Sequence, residues 1–225
     1  LLCPGQPPTD DNGHGTHVAG ILAAARNGRG VVGVAPGAGL YVVKAFDRYG
    51  NGRLSRILEA LQWCADQRLH LVNLSFGMKQ ESVALRRAVQ KATATGLLVV
   101  AAAGNEGRAD SVVYPARYSE VLAVAALGKD GRRARFSSFG PEVDFIAPGE
   151  DIKSTYPGGR YRVLSGTSMA APHVTGIAAL LLGARLQLRG GEVRQLLVAS
   201  CRPIANLPRE EQGAGLPSAR QAVQA

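Results

Sequence analysis

A three-layer α/β/α domain around a mainly parallel sheet is the fold this sequence predicts, and three observations predict it. Short apolar runs alternate with longer segments whose apolar residues recur three and four apart, the pattern of buried strands and amphipathic helices. Of 225 residues 28 are Gly, about 12% against a usual ~7% and with no G-X-Y period, so many tight turns and close backbone approaches are needed. Hydrophobic residues make up 46% and charged ones 19%, enough apolar surface to offset ordering entropy. With no linker, internal repeat or low-complexity block, residues 1–225 read as one domain.

The first 13 residues, rich in Pro, Gly, Asp and Asn, read as loop. A helix follows over Gly15–Arg26, its small residues suited to lying close against a sheet. Leu40–Phe46 reads as a strand leading into the turn Tyr49–Gly52. The helix Ser55–Gln67 places Ile57, Leu58, Leu61 and Ala65 on one face. Then come strand His70–Ser75, helix Ser82–Thr95, strand Leu97–Ala102 and the runs Val121–Ala126 and Val143–Ile146. Asp151–Leu164 reads as a two-stranded excursion, and helices follow at Ser168–Leu182, Gly191–Ala199 and Pro217–Val223.

Charge and cysteine exclude more than they assign. The net charge is +9, yet the charge is scattered, and the one tight cluster, Arg132, Arg133 and Arg135, has no interleaved aromatics. It reads as a solvated loop, and no nucleic-acid partner is expected. Cys3, Cys64 and Cys201 are odd in number and lack ligand spacing, so no metal site follows from them. Gly, Thr, Ser or His interrupts every apolar stretch before about 18 residues, so no membrane span is expected. Leu1–Gly5 has neither the basic start nor the apolar core of a secretory signal, and with no initial Met the chain reads as processed or as a fragment.

In an open α/β sheet the loops at the carboxyl ends of the strands carry the site. Three unusual segments fall there: Asn12–His17, Ala102–Gly107 and Ser165–Pro172. Ser168 is a candidate nucleophile at the start of a helix, where its own N–H faces developing negative charge; alone, it equally reads as a helix cap. His14, between two glycines, is the candidate base, or a structural His in a Gly-rich turn. Asn105 offers a carboxamide donor, or a turn residue tolerating positive φ. His17, His70 and His173 read as structural, and a His14/His17 metal pair lacks a third ligand.

Together, Asp11–Gly20 (DNGHGTHVAG), Ala101–Gly107 (AAAGNEG) and Gly166–Pro172 (GTSMAAP) resemble the subtilisin-like serine proteases, in that family's order of His, Asn, Ser. Gly33–Pro36, Asn73–Gly77 and Ala147–Gly149 extend the resemblance over nearly the whole chain. It implies endopeptidase activity on polypeptide substrates, with His14 as general base and acid, Ser168 as nucleophile and Asn105 as oxyanion donor. It also implies that Gly50, Asn51 and Gly52 on one side and Ser75, Phe76 and Gly77 on the other flank an extended substrate. Ala102 and Gly104 would wall the primary pocket, with Glu106 at its mouth making a basic side chain tolerable. An exported, extracellular location is implied in the same way.

One part of the family pattern is missing. Its triad Asp lies on the first strand, in the middle of the sheet, but only 13 residues precede His14 and no Asp-Ser-Gly or Asp-Thr-Gly occurs anywhere. Asp10 and Asp11 match positions in the loop leading to the His. The expectation is that the strand belongs to a longer parent protein or comes from a pro-segment or separate N-terminal fragment. The alternative is an inactive peptide-binding or interaction module whose sheet has closed up. No cofactor is expected: the family often holds calcium in the loop matching Ala25–Gly33, but Arg26 and Arg29 make that loop cationic.

Overall fold

The computed structural model describes residues 9–224; Cys3 and most of the opening loop lie outside them. In chain order the elements are α1 (His14–Ala23), α2 (Leu54–Asp66), β1 (Leu71–Leu74), α3 (Val83–Ala94), β2 (Leu98–Ala102), β3 (Val121–Leu127) and β4 (Val143–Pro148). After these come β5 (Ile152–Tyr156), β6 (Arg160–Leu164), α4 (Thr167–Ala184), α5 (Gly190–Ala199), β7 (Cys201–Arg202), α6 (Arg209–Gln212), β8 (Leu216–Pro217) and α7 (Ala219–Gln224).

β1 to β4 form one parallel sheet in the order β1-β2-β3-β4. Side chains alternate across a strand, so β2 sends Leu98, Val100 and Ala102 to one face and Val99, Ala101 and Ala103 to the other. The first face packs on α4, through Ala170, Val174, Ala178 and Leu181, with Val193 and Leu197 of α5 beside them. The second packs on Ile57 and Leu61 of α2 and Leu85 and Val89 of α3. These are the three expected layers. Phe145 and Leu181 are wholly buried, each contributing about 1.5–3 kcal/mol. α4 is long and apolar enough to cross a membrane (18 residues, mean hydropathy 1.3), but it is the central core helix, packed against all four strands.

Several expectations need correction. Leu40–Phe46 is no strand; apart from one bridge, Phe46 to Gly52, it pairs with nothing among the described residues, and Leu40, Tyr41 and Val42 are exposed. α1 ends at Ala23 because the returning chain takes its last carbonyls: Gly33 N donates to Ala24 O (2.9 Å), Val34 N to Ile21 O (2.9 Å) and Ala35 N to Leu22 O (2.8 Å). The small residues of α1 seat it on the β5–β6 hairpin and α4, not on the sheet; a Cβ at Gly20 would meet Thr155 Oγ1 at 2.1 Å. Arg133 is not a solvated loop residue. It stacks on Phe139 (4.1 Å to the ring centre), donates to Ser137 O (2.6 Å) and pairs with Glu211 (3.2 Å), while Arg132 and Arg135 are exposed. The short β7–β8 pair and α6 were not anticipated. Cys64 and Cys201 are free thiols, and burial pushes both up in pKa, Cys201 to about 12.

Candidate active site

The start of α4 is anchored by its own sequence. Pro172 has no N–H, so the carbonyl four residues back, that of Ser168, lacks its helical donor. Ser75, just past the carboxyl end of β1, supplies one: its Oγ donates to Ser168 O (2.9 Å). Asn73 Nδ2 in turn donates to Ser75 Oγ (2.8 Å), and Thr175 Oγ1 donates to Asn73 Oδ1 (3.0 Å). This relay ties the backbone of Ser168 to the sheet. The Ser168 hydroxyl donates to Ser75 O (3.2 Å), so the side chain lies at the same strand end.

Asn105 is fixed as tightly. Thr167 N–H (2.9 Å) and Thr167 Oγ1 (3.0 Å) both donate to its Oδ1, and Thr167 Oγ1 accepts from Gly104 N (3.1 Å). A backbone N–H is only a donor, so the carboxamide must present oxygen to it and turn its NH2 the other way. Asn105 Nδ2 and Ser168 N lie 3.6 and 3.7 Å from the point where a Cβ on Gly166 would sit. Two donors therefore border one small space, the arrangement that holds an oxyanion. Thr167, 1% exposed, joins these groups; its role was not read from the sequence, although it stands inside the Gly-Thr-Ser motif.

His14 begins α1, behind Gly13, whose φ of 99° places the chain where a side chain is rarely tolerated and whose Cβ position is filled by the Tyr156 ring. Burial pushes the imidazole below its ordinary pKa, His17 pushes the same way, and Asp10 pulls it back. Burial and His17 thus favour the neutral form of the ring. Among the described residues no hydrogen bond reaches that ring. Asp10 is occupied elsewhere: Oδ1 accepts from the backbone N–H of Asn12 (3.0 Å) and Gly13 (2.7 Å), and Oδ2 from Thr16 N (2.7 Å) and Thr16 Oγ1 (2.6 Å). Burial alone would raise the Asp10 carboxyl; these bonds outweigh it and hold it at about 2. Asp11 pairs with Lys44 (2.5 Å). Neither carboxylate orients His14. His17 is wholly buried with Nε2 between Ile152 O (3.0 Å) and Arg162 O (3.1 Å), and His173 Nδ1 is bonded to Met169 O (2.8 Å). Both are structural.

A cavity of about 1000 Å³ opens beside His14. It is bounded by residues 38–47 on one side, by 69–76, including the outer edge of β1, on the other, and by His14 and Ser75. Among the described residues β1 has only β2 as a hydrogen-bonded neighbour, and its other edge faces this space. Gly50 also lines it; Gly52 bridges Phe46, whose ring packs on Phe76 (5.2 Å), and Asp47 Oδ1 accepts from Asn51 N (2.9 Å). Of the 50–52 and 75–77 segments, Gly50, Ser75 and Phe76 line this opening.

Ala102 is buried in the core beside α4, and Gly104 has φ 113°. The Glu106 carboxylate is not free: it pairs with Lys79 (2.7 Å) and with Arg108 (Nε 3.0 Å), which hold it below the usual carboxylate range. Of the two partners only Lys79 is remote in the chain; Arg108 stands two residues from Glu106. Among the described residues no group of three or more His, Cys, Asp or Glu gathers as a metal site. The 25–33 loop fits calcium poorly, since its one carboxamide oxygen, Asn27 Oδ1, accepts from Arg29 N (3.1 Å).

Comparison with known proteins identifies the family. Residues 3–215 match Peptidase_S8, the subtilase family. The chain is 50% identical over 186 residues to a thermostable alkaline protease of Halalkalibacterium halodurans, covering 83% of this chain and 51% of that protein. It is 51% identical over 179 residues to Subtilisin Savinase of Lederbergia lenta (79% and 66% covered), and 45% identical over 203 residues to Subtilisin NAT of Bacillus subtilis subsp. natto (89% and 53%). The chain thus spans from about half to two thirds of these relatives' length.

Proposed function

The chain belongs to the subtilase family, and from that premise we propose that it is the larger part of a serine endopeptidase acting on extended polypeptide. His14 takes the Ser168 proton as the hydroxyl swings from Ser75 O to attack the scissile carbonyl. The oxyanion that forms is met by Asn105 Nδ2 and Ser168 N–H. His14 then passes the proton to the leaving amine, and water releases the acyl group by the same steps reversed. The peptide lies as an added strand between Gly50–Gly52 and Ser75–Gly77. The observation that carries this reading is the pinned Asn105 carboxamide, whose free NH2 shares one small space with the Ser168 N–H.

The triad acid comes, on this reading, from an extended segment that fills the cavity between residues 38–47 and the edge of β1. Such a segment would satisfy the β1 edge and cover Leu40, Tyr41 and Val42. A carboxylate near its carboxyl end, level with Ser75, would reach His14. The segment belongs to the parent protein or arrives as a pro-segment or N-terminal fragment. Export from the cell is part of the same proposal, and no calcium is assigned to the 25–33 loop.

The test adds to the purified chain a synthetic peptide with an apolar strand ending in Asp-Ser-Gly, and follows cleavage of an unfolded protein. Cleavage that requires the peptide and vanishes in Ser168→Ala is the expected result; cleavage unaffected by Ser168→Ala overturns the proposal. A second reading, a peptide-binding module without turnover, draws on the unpartnered His14 ring. Tight peptide binding with no cleavage, even with the strand added, is its signature.

A further inference from the structure

The β5–β6 hairpin carries an open strand edge. Its strands pair without a bulge from Ile152 with Leu164 to Tyr156 with Arg160, and among the described residues β6 has no other hydrogen-bonded neighbour. His17 shows which backbone groups point outward. Its Nε2 reaches both Ile152 O (3.0 Å) and Arg162 O (3.1 Å), so those two carbonyls lie together inside the hairpin. Backbone groups alternate in direction along an antiparallel strand, which directs the N–H and C=O of Tyr161 and Val163 to the free edge. Residues 160–163 are all exposed, and none of them lines the cavity beside His14.

The side chains along this edge alternate in chemistry. Arg160 and Arg162 stand on one face of the hairpin, Tyr161 and Val163 on the other. Arg162 lies over the Tyr156 ring (4.6 Å to its centre), and among the described residues neither arginine pairs with a carboxylate. Tyr161 and Val163 are 41% and 55% exposed. The Tyr161 ring is held in place: Lys153 Nζ lies over it (5.7 Å), and a Cβ on Gly30 would come within 2.5 Å of its Cε1. Protected edges are blunted by bulges, prolines or charge; here the register is even and one face stays apolar. The charge does exclude a second copy of this strand, since antiparallel self-pairing centred on Tyr161 or on Arg162 sets arginine opposite arginine.

We propose that the β6 edge is a docking site for an extended segment of a partner protein in which acidic and apolar residues alternate. The segment adds as a third strand of the hairpin and exchanges backbone hydrogen bonds with Tyr161 and Val163. Its acidic side chains lie beside Arg160 and Arg162, and its apolar ones cover Tyr161 and Val163. Backbone pairing supplies affinity and the alternation supplies selectivity. Docking here is independent of catalysis by Ser168.

The test follows fluorescence anisotropy of labelled heptapeptides on the full chain carrying Ser168→Ala, so that no cleavage interferes. A peptide of alternating Glu and Val is expected to bind about tenfold or more tightly than one of alternating Lys and Val, a margin that shrinks in high salt. Arg160→Gln/Arg162→Gln should remove most of that preference. Val163→Pro deletes an outward N–H that the hairpin does not use and should weaken the Glu/Val peptide about fivefold. N-methylation of alternate peptide residues should do the same, which covers failure of the proline variant to fold. On binding, hydrogen exchange should slow at Tyr161 and Val163 and stay unchanged at Ser75–Gly77. Equal binding of a peptide with its Glu and Val in separate blocks, indifference to N-methylation, or slowing at Ser75–Gly77 instead overturns the proposal. Tighter binding of a sulfated polysaccharide that displaces the peptide assigns the face to another class of partner and overturns it too. Each of these failures leaves the protease reading standing.

Discussion

Ser168 and His14 occupy two unlike halves of the molecule. Around Ser168 the backbone is tied on every side: Ser75 replaces the donor that Pro172 lacks, Thr167 pins Asn105, and α4 lies over a sheet whose central strands are fully buried. His14 instead stands over a cavity of about 1000 Å³ between an unpaired strand edge and a segment without regular structure. On the proposed reading, Ser168 and its two oxyanion donors are organised by this chain, while among the described residues no group bonds the His14 ring to fix its tautomer. On that reading one half is a finished site and the other a socket.

Filling the socket should have the largest effect. An added Asp-bearing strand is expected to raise Ser168-dependent turnover by about 10⁴, since in subtilisins, the same family, loss of the acid alone costs about 3 × 10⁴. Steady-state cleavage with and without the strand measures it. Disturbing the finished half should cost less: Asn105→Ala is expected to lower kcat of the complemented protein by about 10²–10³ with little change in KM, a scale set by a subtilisin donor.

The contrast then passes to stability. Leu181→Ala, in the closed core, should lower unfolding free energy by about 2–5 kcal/mol in urea titration. Val42→Ser, on the open side, should shift it by no more than about 0.5 kcal/mol in the isolated chain. Once a strand is bound, Val42→Ser should become distinctly destabilising. If the two variants behave alike in the isolated chain, the division into closed and open halves fails.

The smallest effect is on pH. His14, His17 and His173 all have pKa values lowered by burial, so the fold prefers them neutral. Their contribution to stability is complete above the ordinary imidazole value of 6.5 and is lost as pH falls below it through the depressed values. The melting temperature should therefore drop from pH 7 to pH 5. An added carboxylate beside His14 should raise that residue's own titration midpoint, seen by NMR, and leave His173 unmoved.

How much of this was legible depended on whether the information was local. The β2 strand and the helices α2 to α4 declare themselves by apolar spacing; Ser82, read as the first residue of a helix, is the cap of α3, its Oγ accepting from Leu85 N (3.2 Å). His14, Asn105 and Ser168 were legible because each stands in a motif of neighbouring residues. Leu40–Phe46 has the composition of a strand but lacks a partner, and strand propensity reflects pairing and burial more than the backbone itself. Arg133 was misjudged for a related reason, since Glu211 lies tens of residues away; for Glu106 one partner, Lys79, is as remote, while the other, Arg108, stands two residues on.

The claim on which the rest stands is that His14 and Ser168 serve one reaction centre. Reaction of the folded chain with a fluorophosphonate probe, mapped by mass spectrometry and timed, tests it most directly. The account expects one adduct, on Ser168, forming markedly more slowly in His14→Ala and absent in Ser168→Ala. An adduct elsewhere, or a rate on Ser168 that ignores the loss of His14, would contradict it.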